Sequence, residues 1–245
     1  MRVKLTVAYD GTGYQGWQIQ QKGVTIQGKM EKALSRICST NIRVHGSGRT
    51  DAGVHALGQV AHFDPPLPYR KVPWNRALNA LLPSSIRVLD CAEADKEFHA
   101  RFSARGKQYS YTLWTSGVSL HPQRRHFVWN TGPLDQESMQ NAAHCLLGSR
   151  DFSSFMNKGT EIRDTVRTIQ HICILPGLTP RETVVLIRAS GFLKQMARNI
   201  VSALVQVGQK KISSRSLETV LRKRDRRLAP ATAPARGLCL DFVQY

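Results

Sequence analysis

Apolar residues along this chain switch between a period of two and a period near 3.6, and the order of the switches is the same in both halves. Val3, Leu5, Val7 and Tyr9 alternate through Arg2–Tyr9, which reads as a half-buried strand. Ile26, Met30, Ala33, Leu34 and Ile37 then recur at helical spacing over 25–38, with Thr25 placed to cap that helix. Short strands are expected at 41–45 and 57–63 and a further strand at 86–92. A helix is expected at 73–82, with Trp74, Ala77, Leu78, Leu81 and Leu82 on one side. The second half repeats the order, with a strand at 107–114, a helix at 135–147 closed by Gly148, and strands at 165–175 and 182–190 around a Pro/Gly turn. The strongest helical pattern follows at 192–207, then a basic helix at 214–224 and a last strand at 237–245. This order predicts an α+β chain of two tandem ferredoxin-like (β-α-β-β-α-β) halves with mainly antiparallel sheets. The seam is expected near residues 95–107, dividing the chain into 1–100 and 101–245. The halves share element order and no visible residue identity.

Between the strands at 41–45 and 57–63 runs Gly46-Ser47-Gly48-Arg49-Thr50-Asp51-Ala52-Gly53-Val54-His55-Ala56-Leu57-Gly58-Gln59. Four glycines in so short a span mark a shaped loop, because glycine accepts backbone angles and close approaches that other residues refuse. Asp51 beside Arg49 makes it the first place to look for chemistry. On the residues alone a structural turn, with Thr50 and Asp51 bonding the local backbone, stays open.

Charge narrows the partners. Lys and Arg number 35 against 17 Asp and Glu, a formal +18 with a sequence pI near 10.3. Such an excess favours polyanions, and nucleic acid is the commonest of them. The clusters Arg222-Lys223-Arg224 with Arg226-Arg227, Arg124-Arg125-His126, and Arg101, Arg105 and Lys107 suit a surface that tracks phosphates. No apolar run approaches the roughly twenty residues a bilayer requires, and the N-terminus lacks the apolar block of a signal peptide. The five cysteines are scattered and form no C-x-x-C pair. A cytoplasmic protein without structural zinc or membrane association is expected.

Two other patterns point elsewhere. Gly11-Thr12-Gly13-Tyr14-Gln15-Gly16 matches a dinucleotide fingerprint on paper, but the helix that should open within the glycines starts only near Thr25. The fingerprint is rejected, and Tyr14 and Trp17 are left as candidate contacts for a nucleic-acid strand. His45, Asp51, His55 and His62 lie close in sequence, yet they sit on strands and a glycine-broken turn rather than at helical ligand spacing. A metal-dependent hydrolase on His45, Asp51 and His62 and a non-catalytic RNA-binding module on a sheet platform are the rival readings.

Further blocks extend the pattern: Asp10-Gly11 through Gly16-Trp17-Gln18, Gly48 to Ala56 with Gly58-Gln59-Val60, Phe98-His99-Ala100-Arg101-Phe102-Ser103-Ala104, Lys107-Gln108-Tyr109-Ser110-Tyr111, Asp151-Phe152-Ser153-Ser154-Phe155, Phe192-Leu193 with Met196 and Arg198, and Ala233-Pro234-Ala235-Arg236-Gly237-Leu238. Together they resemble the bacterial tRNA pseudouridine synthase A family from end to end and in family order. The resemblance implies isomerisation of uridine to pseudouridine in the anticodon stem-loop of tRNA, at the tRNA positions labelled 38 to 40. It implies a homodimer with no cofactor or metal, no DNA partner, and an active site in a central basic cleft between the two halves. Asp51 falls on the essential aspartate, Tyr109 on the active-site tyrosine and Arg198 on the arginine that pairs with the aspartate. Arg49 falls on the residue that helps extrude the base, and Leu238 on an apolar wall of the pocket. Gln195 and Ala197 depart from the family, where a His and a Val are usual.

Overall fold

A computed structural model describes residues 1–69, 72–159 and 164–245. Its residues fall into two compact units, Met1–Arg105 with Cys239–Tyr245, and Gly106–Leu238.

In the first unit, β1 (Arg2–Tyr9) buries the alternating set Val3, Leu5, Val7 and Tyr9 and lies between two antiparallel partners. These are β3 (His55–Phe63) and β4 (Ile86–Ala94). The far edge of β3 is shared. β2 (His45–Gly46) pairs antiparallel with its end, at His45↔His62, while β10 (Leu238–Gln244) pairs parallel with its start, at Cys239↔His55. α1 (Ile26–Cys38) is capped by the Thr25 hydroxyl, which accepts from the Gly28 N–H, and turns Ile26, Met30, Ala33 and Leu34 inward. α2 (Trp74–Leu81) buries Trp74 and Leu78, and Trp74 meets Phe63 edge-on at 4.9 Å.

In the second unit the strands β5 (Gly106–Trp114), β9 (Glu182–Ala189), β8 (Val166–Pro176) and β7 (Gly148–Asp151) stand side by side in that order, all antiparallel. The two-residue β6 (Trp129–Asn130) runs parallel to the end of β5. α3 (Gln136–Ala143) is capped by Asp135, and α5 (Ser214–Lys223) by Ser213. α4 (Met196–Gly208) is buried along almost its whole length. Its last residue, Gly208, is packed so closely that a Cβ there would lie 2.7 Å from the Met139 sulfur on α3.

Several boundaries differ from the sequence expectation. The strand expected at 41–45 shrinks to β2, because side chains of α1 take the backbone of Val44. Its N–H donates to Glu31 Oε1 at 3.0 Å and its carbonyl accepts from Gln27 Nε2 at 3.0 Å. The helix expected from 192 starts only at Met196, since Gln195 adopts a left-handed φ of 60°. The helix expected over 135–147 gives way after Ala143 to a 3-10 turn, His144–Leu146, and Gly148 opens β7 with φ +84° instead of capping the helix. The chain passes from the first unit to the second after Arg105 and returns at Cys239. Most of the last strand is therefore counted with the first unit, whereas the element order assigned 101–245 wholly to the second half. Among the described residues no helix is long and apolar enough to cross a membrane.

Candidate active site

The loop at 46–59 does not stand alone. It is locked against the turn that follows β1, so the two glycine clusters form one construction. The Thr50 carbonyl accepts from the Trp17 N–H at 3.1 Å, the Tyr14 carbonyl accepts from the Gly53 N–H at 3.3 Å, and the Thr50 and Tyr9 hydroxyls bond at 2.9 Å. Burial pushes the Tyr9 phenol well above its ordinary pKa, so that hydroxyl keeps its proton. Two glycines make this approach possible. A Cβ at Gly11 would stand 2.0 Å from the Val54 oxygen, and Gly16 has φ +82° with the Thr50 oxygen 2.3 Å from where its Cβ would be. The near side of the loop is tied to β3. The Ser47 N–H donates to the Val60 carbonyl at 2.7 Å, its hydroxyl to Gln59 Oε1 at 2.6 Å, and Gln59 Nε2 to the Gly48 carbonyl at 2.9 Å. Held at both sides, the loop keeps Asp51 half-buried and Arg49 exposed. Several of its backbone groups are bonded to the turn and to β3, which suits a rigid presentation of one carboxylate.

His55 serves that frame. It is 6% exposed, and its Nδ1 accepts the Gly11 N–H at 3.1 Å, so the nearby Asp10 carboxylate at 3.2 Å meets a nitrogen already used as an acceptor. Tyr14 and Trp17, offered by the sequence as nucleic-acid contacts, are core residues instead. Trp17 is 1% exposed and fills the space a Gly46 side chain would need. Among the described residues no three or more His, Cys, Asp or Glu side chains are arranged to hold a metal ion. His45 and His62 do meet, ring stacked on ring at 5.0 Å, with His99 edge-on to His62 at 4.7 Å. The Nδ1 atoms of His62 and His99 are occupied by backbone N–H groups of Ala100 and of Arg101 and Phe102. Burial first, then the charges of Arg2, His99 and His45, bring His62 down to about 4.

Tyr109, Arg198 and Leu238 belong to the second unit, Arg49 and Asp51 to the first. Tyr109 lies on β5, 8% exposed, with Phe192 edge-on at 4.9 Å. Residues 192–195 precede the helix, and Phe192 there reaches Tyr109. Arg198 stands in the first turn of α4, half-buried, and its Nε donates to the Ala233 carbonyl at 2.7 Å. The segment 233–238 gathers the rest. The Pro234 carbonyl accepts from the Tyr111 hydroxyl at 2.6 Å, and Gly237 abuts the Tyr111 ring, where a Cβ would lie 2.3 Å from the edge carbon. Leu238, 6% exposed, follows directly. Burial raises the Tyr111 phenol, and the cations of Arg198 and Arg236 only partly oppose it. The structure thus joins Arg198, Tyr111 and the 233–238 segment in one unit, with Tyr109 on the same face of β5 as Tyr111.

Two features escaped the sequence. Tyr111 reads there only as a strand residue, although its phase with Tyr109 was a usable signal. The basic runs are not uniformly surface. Arg124 forms a two-point ion pair, at 2.6 and 3.2 Å, with Glu182, whose side chain is wholly buried, and Arg226 is turned into the protein.

Comparison with known proteins agrees along the chain. A family model described as tRNA pseudouridine synthase matches residues 5–103 and 142–245. A protein named tRNA pseudouridine synthase A from Maridesulfovibrio salexigens is 52% identical, the match covering all of this chain and 90% of that protein. Proteins of the same name from Solidesulfovibrio magneticus and Geobacillus kaustophilus are 48% and 44% identical, again over the whole of this chain and over 91% and 94% of their own length.

Proposed function

The chain belongs to the tRNA pseudouridine synthase family, and on that premise we propose that it isomerises uridine to pseudouridine at positions 38, 39 and 40 of the tRNA anticodon stem-loop, with Asp51 as the catalytic carboxylate. The observation that carries the proposal is the double-sided bracing of the loop at 46–59, which holds one carboxylate and one exposed arginine on a frame of glycines.

The reaction breaks the bond from uracil N1 to the ribose, turns the base, and closes a new bond from C5; the proton lost from C5 is balanced by one gained at N1. A carboxylate suits such a sequence, since it can add to the base, add to the sugar or remove a sugar proton and still be released at the end. The target base must leave its stack first. Arg49 takes its place there, a planar cation filling the gap. Tyr109 then holds the extruded base by its ring, its hydroxyl within reach of the C5 proton. Arg198 pairs with Asp51, and Leu238 walls the pocket on its apolar side. The finer architecture is part of the same proposal: two ferredoxin-like halves facing a basic cleft, in a cytoplasmic homodimer that acts on tRNA and not DNA. The ferredoxin-like part of that reading is supported by the first unit, whose strands stand in the order β4-β1-β3-β2 with α1 and α2 between them in sequence. The second unit carries β5, α3, β8, β9 and α4 in that sequence.

The decisive measurement maps pseudouridine in a tRNA anticodon arm after incubation with the wild type and with Asp51→Asn. The variant should bind tRNA with unchanged affinity and form no pseudouridine. Turnover near the wild-type rate would sink the role of Asp51, and tRNA binding without pseudouridine in the wild type itself would favour a non-catalytic RNA-binding module.

A further inference from the structure

One polar network in the second unit has no part in the chemistry above, and its centre is Arg226. This residue opens a 3-10 turn, Arg226–Leu228, just after α5. Its guanidinium meets five acceptors. Nε donates to Asn157 Oδ1 at 2.7 Å, one terminal nitrogen to the Ala229 and Pro230 carbonyls at 3.0 and 2.9 Å, and the other to Asn199 Oδ1 at 3.1 Å and Thr232 Oγ1 at 3.3 Å. Burial lowers the pKa of this guanidinium, so its five partners offset a real desolvation cost.

Four of the five acceptors fall on two segments that both lead to Arg198. Asn199 is its neighbour in the first turn of α4, completely buried, and its Nδ2 donates to the Phe155 carbonyl at 2.7 Å and to Asn157 Oδ1 at 3.0 Å. Ala229, Pro230 and Thr232 lead directly into Ala233, whose carbonyl accepts from Arg198 Nε. Asn157 bridges the two, donating to Thr232 Oγ1 at 3.0 Å and to Gln195 Oε1. Gln195, one of the two positions that depart from the family pattern, is thereby part of the clamp. One planar cation therefore fixes both the donor and the acceptor end of the Arg198–Ala233 hydrogen bond.

We propose that Arg226 is a positioning residue for the isomerisation: it holds the α4 first turn and the 229–233 segment in register, so that Arg198 is presented in a single orientation. The proposal rests on the reading of Arg198 as the partner of Asp51. A lysine at 226 supplies the charge but cannot reach five acceptors from one plane, so charge alone does not replace it.

The test is a double-mutant cycle in the full-length protein, read as the single-turnover rate of pseudouridine formation beside the Kd for tRNA. Arg226→Lys should slow the chemical step about 10- to 100-fold, as misplacement of a reacting group by a fraction of an ångström to 1 Å does, and leave the Kd within about twofold. Thr232→Val, which removes one acceptor and leaves the guanidinium in place, should give a smaller loss in the same direction and guards against a folding defect. In an Arg198→Ala background both substitutions should change the rate little, because the group they position is gone. Full additivity with Arg198→Ala, or a wild-type rate in Arg226→Lys, overturns the proposal while leaving the role of Arg198 intact. A wild-type rate in Arg198→Ala alone overturns the underlying reading of that arginine, and the present one with it.

Discussion

A methyl group at two neighbouring glycines separates the parts of the β1–α1 turn that carry structure from those that do not. At Gly11 an added Cβ would meet the Val54 carbonyl oxygen at 2.0 Å, and a backbone atom cannot rotate out of the way. At Gly13 nothing lies within 4 Å, and φ is not in the left-handed region. Gly11→Ala should therefore cost about 1–3 kcal/mol by overpacking, and it should push the loop at 46–59 away from β1. Gly13→Ala should be neutral or stabilising by a few tenths to about 1 kcal/mol through the unfolded chain. Urea denaturation of both variants checks the pair, and equal losses would mean the clusters are not packed as one unit. The same contrast explains why the dinucleotide fingerprint fails here. Gly11 and Gly16 are spent on protein backbone, and α1 begins ten positions beyond Gly16, at Ile26.

At the scale of elements, periodicity located most strands and helices because each buries one face; β1 follows the pattern residue by residue, and α1 follows it except at Ile37, which is only half-buried. It failed where side chains replaced the ladder or where no face is buried. Val44 is held by Gln27 and Glu31, which no alternation can reveal, and β7 is a polar edge strand with no apolar phase. The loop at 46–59 was legible as a shaped one because its glycines mark it. The inward turn of Arg226 was not legible, because a half-buried arginine and an exposed one read alike in a basic run. The histidines of β2 and β3 add a consequence of their own. His62 is held to about 4 against an ordinary value of 6.5, so between those pH values the unfolded chain binds a proton that the native one refuses. Stability is full above about 6.5 and declines as pH falls toward 4, by something of order 1–3 kcal/mol. Asp64 and Asp151, both held below the usual carboxylate range, lose their contribution only at lower pH, so the two windows are distinct. Thermal melts from pH 7.5 to 4.5 should show the His62 slope, and His62→Gln should flatten it. A slope unchanged by that substitution would assign it elsewhere.

For the molecule as a whole, the +18 balance separates into cations that hold the protein together and cations that face solvent. Arg2 is bound twice to Asp64, at 2.9 and 2.7 Å, and donates to the Lys96 and Phe98 carbonyls besides. Arg124 is spent on the buried Glu182, and Arg226 on its own network. Arg222 and Lys223 differ: they lie exposed in the last turn of α5 and form no ion pair among the described residues. Only cations of the second kind can release counterions when tRNA binds, so the salt dependence of affinity counts them and ignores the rest. The Kd for tRNA should rise at least about tenfold between roughly 50 and 200 mM salt, because each phosphate contact contributes close to one unit of slope on a log–log plot. Changing Arg222 and Lys223 together to Gln should reduce the slope by about two, uniformly across tRNAs. Arg2→Gln removes a charge of the same sign yet should lower stability and leave the slope where it was, since that guanidinium is already neutralised within the fold. If both variants reduced the slope equally, net charge would govern affinity. If neither did, α5 would lie outside the tRNA footprint, and the search for the phosphate track would move to the other exposed cations.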